Sequence, residues 1–172
     1  MIVWLNGTYG AGKTTTAPLL AEALPARIFD SEHIGHLLRP VIGDIPCTDF
    51  KEWRPWRALT VATAREIIAF TGDALVIPQT VLQHEYWTEL ADGFAEADIP
   101  VHAFTLHADR AAWAARVEAD TAEPDAREWR LAHRDAYEQA LTAWMARETT
   151  VVDTTETTPD ALAAHLVEQL KT

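Results

Sequence analysis

Residues 7–14, GTYGAGKT, constrain this chain more than any other stretch. The pattern GxxxxGK[ST] is a phosphate-binding loop, and it works as one only between a buried strand and a helix. Both neighbours are present. Ile2 to Leu5 is an apolar run suited to a strand buried on both faces, and a helix-like segment runs from about residue 13 to 24. The glycines let the backbone curl until its N–H groups point at phosphate oxygens, Lys13 reaches the β and γ phosphates, and the Thr14 hydroxyl is placed for Mg²⁺. The helix N-terminus adds partial positive charge at the same point. Gly7, Thr8, Tyr9, Gly10, Ala11, Gly12, Lys13, Thr14 and Thr15 are therefore the expected nucleotide contacts.

Strands and helices alternate along the rest of the chain. Pro25 ends the first helix, and residues 26–29 read as a second strand that delivers Asp30 to the sheet edge carrying the phosphate loop. A carboxylate there can take the proton of an attacking hydroxyl, which makes Asp30 the general-base candidate over Glu32, His33 and His36. Asp30 or Ser31 can equally cap the helix that runs to about Leu38. Residues 39–57, with three prolines, read as an ordered loop over a site. Trp53, Arg54, Trp56 and Arg57 offer stacking surface and cations to a substrate, whereas Asp49 and Glu52 have the spacing of a capping box. A helix follows from Pro55 to about Phe70 with Leu59, Ala62, Ile67 and Phe70 among its apolar residues.

Residues 74–78 form a third strand ending in Gln79 and Thr80, where many P-loop ATPases carry a metal-binding Asp. That departure speaks against a motor-type ATPase and leaves the metal to Thr14, water and Asp30. A helix over 84–97 with the stripe Tyr86, Leu90 and Phe94 leads to a fourth strand at 101–106. Helix 109–120 carries Arg110 and Arg116, and after a break at Pro124 a helix over about 126–146 sets Arg127, Arg130 and Arg134 on one face. These arginines form a lid, about residues 110–135, that steadies charge on a transferred phosphoryl group, or a solvated face paired with Glu123, Asp135 and Glu138. A fifth strand at 150–153 and a final amphipathic helix from about Asp160 complete an open, mostly parallel α/β sandwich of three layers.

Composition bounds the partners. At 172 residues the chain is expected to be one P-loop domain spanning 1–172, and its formal charge of −12 argues against a nucleic-acid duplex. The lone Cys47, the lack of a signal-like start and of any membrane-spanning run are those expected of a cytoplasmic protein.

The runs IVWLNGTYGAGKT, DFKEWRPWR at 49–57, LVIPQTV at 75–81, EYW at 85–87 and VHAFTL at 101–106 resemble the bacterial tunicamycin-resistance proteins, in the same order along nearly the whole chain. More distantly the chain is similar to small-molecule P-loop kinases. That likeness implies a sheet order of 2-3-1-4-5, ATP with Mg²⁺ as donor, and Arg116 stacked on adenine. It also implies a base-lining loop from Thr154 to Pro159 that includes Thr155, and arginines of the lid, Arg127 and Arg130, near the phosphates. The acceptor site then falls to Asp30, Trp53, Trp56, Arg57 and Gln79, and the substrate to a small hydroxylated molecule such as a nucleoside antibiotic. Two functions follow from the resemblance: phosphoryl transfer to that molecule, or its nucleotide-dependent sequestration without chemistry.

Overall fold

The computed structural model describes residues 1–121 and 126–171. Strands β1 (Ile2–Gly7), β2 (Ala26–Ile28), β3 (Ala74–Pro78), β4 (Val101–His107) and β5 (Thr150–Asp153) form a sheet in the order β2-β3-β1-β4-β5. This is the order the resemblance implies, and every neighbouring pair is parallel. Parallel neighbours need crossovers, which helices supply: α1 (Lys13–Ala23), α2 (Glu32–Ile42), α3 (Arg54–Thr71), α4 (His84–Glu96) and α5 (Arg110–Ala119), with α9 (Pro159–Gln169) closing the chain.

The apolar run at the start becomes the central strand because both of its faces are covered. Ile2 and Trp4, with Leu75 and Ile77 of β3, pack on Trp56, Leu90 and Phe94 from α3 and α4. Val3 and Leu5, with Val76 and Leu106, pack on Leu20 of α1 and on Leu162 and Leu166 of α9. Successive strand residues point to opposite faces, so one strand feeds both cores and the molecule is built in three layers.

Several boundaries and faces differ from expectation. The helix α2 passes Leu38 and takes Pro40 inside it. A 3-10 turn at Phe50–Glu52, capped by Asp49 Oδ1 accepting from the Lys51 N–H, sets the phase of α3. In that phase Trp56, Thr60 and Ala64 face inward, while Phe70 is 92% exposed. The stripe of α4 keeps Leu90 and Phe94 but uses Trp87 in place of Tyr86. Trp87 meets Trp4 edge-on at 5.6 Å, and Tyr86 instead lies under the Arg57 guanidinium.

The long helix expected over 126–146 is broken into α6 (Arg127–Ala132), α7 (Arg134–Ala140), a π-turn at Leu141–Met145 and α8 (Ala146–Glu148). Pro124 as a helix breaker and Glu123 as an ion-pair partner lie outside the described residues. Among the described residues no helix is long and apolar enough to cross a membrane.

Candidate functional site

The phosphate loop leaves β1 at Gly7 and enters α1 at Lys13. Gly7 has φ +132°, and a Cβ there would stand 2.5 Å from the Leu106 carbonyl oxygen, so β4 packs too closely for any side chain. Gly10 has φ +80°, and a Cβ would meet Val117 of α5 at 2.9 Å. The curl is thus enforced from both sides.

Lys13 is buried, and its Nζ donates to the carbonyls of Thr8 at 2.8 Å and Gly7 at 3.2 Å. Among the described residues it has no carboxylate in contact. Burial first, then the Lys51 charge, lower its pKa to about 7, with Arg130 adding to the effect and Glu32 opposing it. A cation so placed lacks a counter-charge, and the oxygens of a polyphosphate would supply one. The chain therefore fits the nucleotide that the motif predicts.

A cavity of about 630 Å³ opens over the loop, lined by Gly10 to Thr16 and walled by Arg116, Asp120, Arg130, Thr154, Thr157 and Pro159. Expected contacts Gly10, Ala11, Gly12, Thr14 and Thr15 lie in its floor. No cluster of His, Cys, Asp or Glu suited to a metal occurs among the described residues. Gly7 and Thr8 do not line the cavity. The Arg116 guanidinium is fixed on the cavity wall by the Thr154 hydroxyl at 3.2 Å and the Thr155 carbonyl at 3.1 Å. The side chain of Thr155 turns away, bonding the Asp109 N–H and the Asp153 carboxylate, so Thr154 and Thr157 take the lining role expected of it.

The three arginines read as one helical face have three fates. Arg130 lines the nucleotide cavity and pairs with Asp120 at 2.5 Å. Arg127, expected beside the phosphates, instead pairs with Glu118 and Glu128 and lies outside that cavity. Arg134 is 2% exposed, bonded to the Ala108 carbonyl at 2.9 Å and set against the Trp113 and Tyr137 rings. The helix break at His133 turns Arg134 out of phase with the other two.

A second cavity of about 450 Å³ adjoins the first at the loop itself, since Tyr9 lines one and Gly10 the other. Its walls include Glu32, Arg39, Cys47, Asp49, Phe50, Lys51, Trp53 and Trp129. Trp53 is buried and lines this cavity, and among the described residues its indole Nε1 has no hydrogen-bond partner. Trp56, expected beside it, does not: it is fully buried, its Nε1 donating to the Ser31 carbonyl at 2.9 Å. Arg57 also faces inward, where its fork grips Glu89 at 2.7 and 3.2 Å and the Lys51 and Glu52 carbonyls. These two residues hold the loop in place and do not line the cavity. Gln79 is buried at the end of β3, its Oε1 accepting from the Ser31 hydroxyl at 3.0 Å.

Asp30 precedes Ser31, the N-cap of α2, its Oδ1 accepting from the Glu32 N–H at 2.9 Å, and it lines neither cavity. Glu32 does line the second one. Burial, then the nearby Asp30 charge, raise its pKa. Sequence reasoning missed Lys51, although it stands inside the DFKEW run. Its ammonium is 6% exposed and pairs with Asp49, a burial that the sequence does not announce because it depends on the 3-10 turn.

The AAA-domain family model matches residues 2–144. Among curated proteins no sequence matches the chain. Among solved structures it is similar to the tunicamycin resistance protein of Deinococcus radiodurans, with a TM-score of 0.72 and 24% identity over 98% of this chain and 94% of that one. A sugar kinase from a Janibacter species follows at TM-score 0.61 and 17% identity, over 99% and 94%. The Mycobacterium tuberculosis APS kinase in complex with AMPPNP and APS has TM-score 0.60 and 16% identity, over 99% and 97%. At these identities the likeness is one of fold.

Proposed function

The chain belongs to the AAA-domain family, and from that premise we propose that it is an ATP-dependent phosphotransferase acting on a small hydroxylated molecule. The observation that carries this reading is the pair of cavities meeting at the phosphate loop, with a carboxylate, Glu32, in the wall of the second. ATP with Mg²⁺ on Thr14 would supply the transferable phosphoryl group. Lys13 and Arg130 offset the charge on its oxygens, and Arg116 with Thr154 and Thr157 shape the wall for the base. Glu32 accepts the proton of the acceptor hydroxyl as that oxygen bonds to the γ phosphorus and the bond to the β,γ-bridging oxygen breaks, releasing ADP. Asp30 acts behind it: it orders the Glu32 backbone, and its charge makes Glu32 a stronger base.

The fold shared with a tunicamycin resistance protein and with sugar and APS kinases makes tunicamycin the first acceptor to try, beside a panel of sugars and nucleosides. Protein, Mg-ATP and each compound are incubated and the products weighed by mass spectrometry. A gain of one phosphoryl group, reduced on the order of 100-fold or more in Glu32→Gln, is expected. No product with any acceptor, or full activity in Glu32→Gln, sinks the reading.

Nucleotide-dependent sequestration is the second reading, favoured by the end of β3. There Gln79 and Thr80 are buried and spent on Ser31 and Gly7, so that strand end offers no carboxylate. Sequestration predicts tunicamycin binding that tightens with AMPPNP while no phosphorylated product forms.

A further inference from the structure

We infer that Tyr9 is a positioning residue that sets the acceptor loop, residues 43–53, against the phosphate loop, so that nucleotide in one cavity alters the other. The inference rests on the second cavity being the acceptor site. Tyr9 is the residue of the loop that leaves the nucleotide cavity: Gly10 to Thr16 line that one, and Tyr9 lines its neighbour.

Three separate elements hold it. The Tyr9 carbonyl accepts from Trp113 Nε1 of α5 at 2.7 Å. Its ring packs edge-on against Trp129 of α6, centroids 4.1 Å apart, and against His133 at 5.4 Å. Its hydroxyl donates to Asp49 Oδ2 and accepts from Lys51 Nζ, each at 3.3 Å. Burial and the Asp49 charge push the phenol pKa far above its ordinary value, so the proton that makes the Asp49 contact stays in place.

The ring also stands between two cations that belong to different sites. Lys13 Nζ is 5.7 Å and Lys51 Nζ 5.8 Å from its centroid. Lys13 in turn bonds the carbonyls of Gly7 and Thr8, the residues immediately before Tyr9. A polyphosphate that draws the ammonium toward itself weakens those two bonds and relaxes the backbone that carries Tyr9. With its ring wedged on α6 and its hydroxyl on Asp49 and Lys51, Tyr9 passes that movement to the acceptor loop. The chain of contacts is contiguous and needs no intermediary residue.

Cys47 gives a reporter, because it lines the acceptor cavity and is the sole cysteine of the chain. Its rate of reaction with a chromogenic aryl disulfide is measured at fixed pH, with and without Mg²⁺ and AMPPNP at a concentration shown by titration to saturate each protein. In the wild type nucleotide should change the rate by about threefold or more, and in Tyr9→Phe by less than about 1.5-fold. The phenylalanine keeps the ring on Trp129 and removes only the hydroxyl, so a merely structural role for Tyr9 would leave the nucleotide effect intact. A wild-type ratio retained in Tyr9→Phe, or an unchanged rate in the saturated wild type, overturns the inference. Neither acceptor nor turnover enters the measurement, so its failure leaves phosphoryl transfer standing, and a protein without transferase activity still tests the coupling.

Discussion

Replacing Lys13 by methionine separates what this residue costs the nucleotide-free protein from what it contributes to binding. Burial and the Lys51 charge lower the ammonium from an ordinary 10.5 to about 7. A folded pKa below the unfolded one means that folding works against the proton. The cost is full below pH 7, shrinks as pH climbs from 7 to 10.5, and is gone above that. At about 1.4 kcal/mol per pH unit the full cost is on the order of 4 to 5 kcal/mol. Methionine removes it but strips the Gly7 and Thr8 carbonyls of their donor, which takes back roughly 1 to 2 kcal/mol. Lys13→Met without nucleotide should therefore be about 3 kcal/mol more stable than the wild type near pH 6, and within about 1 kcal/mol of it near pH 9. With a urea m-value of ~2 kcal/mol/M, the midpoint near pH 6 should rise by about 1.5 M. Nucleotide affinity should show the opposite face of the same charge. Calorimetric binding of AMPPNP to the wild type should weaken by up to about tenfold per pH unit above 7, with that slope absent in the variant. A variant no more stable than wild type near pH 6, with wild-type affinity flat to about pH 9, would refute the placement of a strained cation in this loop.

Three further substitutions test the side-chain assignments. Arg57→Ala should destabilise the protein by about 3 kcal/mol: charge-assisted bonds to the Lys51 and Glu52 carbonyls at about 1.5 each, and under ~1 from Glu89, which is 47% exposed. For a chain of this size the melting temperature should then fall by about 6–12 °C. The same contact holds Glu89 below the usual carboxylate range, so the gap between the two proteins should narrow as pH falls through the Glu89 pKa. Arg130→Ala should weaken nucleotide binding by about tenfold while Arg127→Ala leaves it within about twofold, measured by titration with AMPPNP.

What the sequence discloses divides along a physical line. The loop at 7–14 and the strand at Ile2–Gly7 were readable because their cause is local: glycines at positive φ and side chains alternating between two covered faces. Trp53 and Trp56 show where local reasoning stops. Three positions apart and equally aromatic, both are buried in one core, and the 3-10 turn at Phe50–Glu52 sets the phase of α3 so that Trp53 also lines a cavity and Trp56 does not. The arginines at 127, 130 and 134 part for a similar reason, since a break at His133 is invisible to a periodicity that assumes one continuous helix. Asp30 was legible as two alternatives, and in the structure its carboxylate bonds the N–H of Glu32, the first residue of α2.

The charge of the site explains how an acidic protein can hold a polyphosphate. The whole chain carries −12, a field that repels anions at a distance. Among the described residues that line the nucleotide cavity the balance reverses: Lys13, Arg116 and Arg130 stand with one carboxylate, Asp120, which pairs with Arg130. The neighbouring cavity is different, because Arg39 and Lys51 are matched there by Glu32 and Asp49. Among the described residues, the first pocket is lined by more cations than carboxylates, and the second is balanced from within. On the proposed reading, an acceptor in the second cavity would be selected by hydrogen bonds and by the faces of Phe50, Trp53 and Trp129 more than by its net charge. Under the proposed function the two halves of the site would take different chemistry, an anion on one side of Tyr9 and a polar, ring-bearing or hydroxylated molecule on the other.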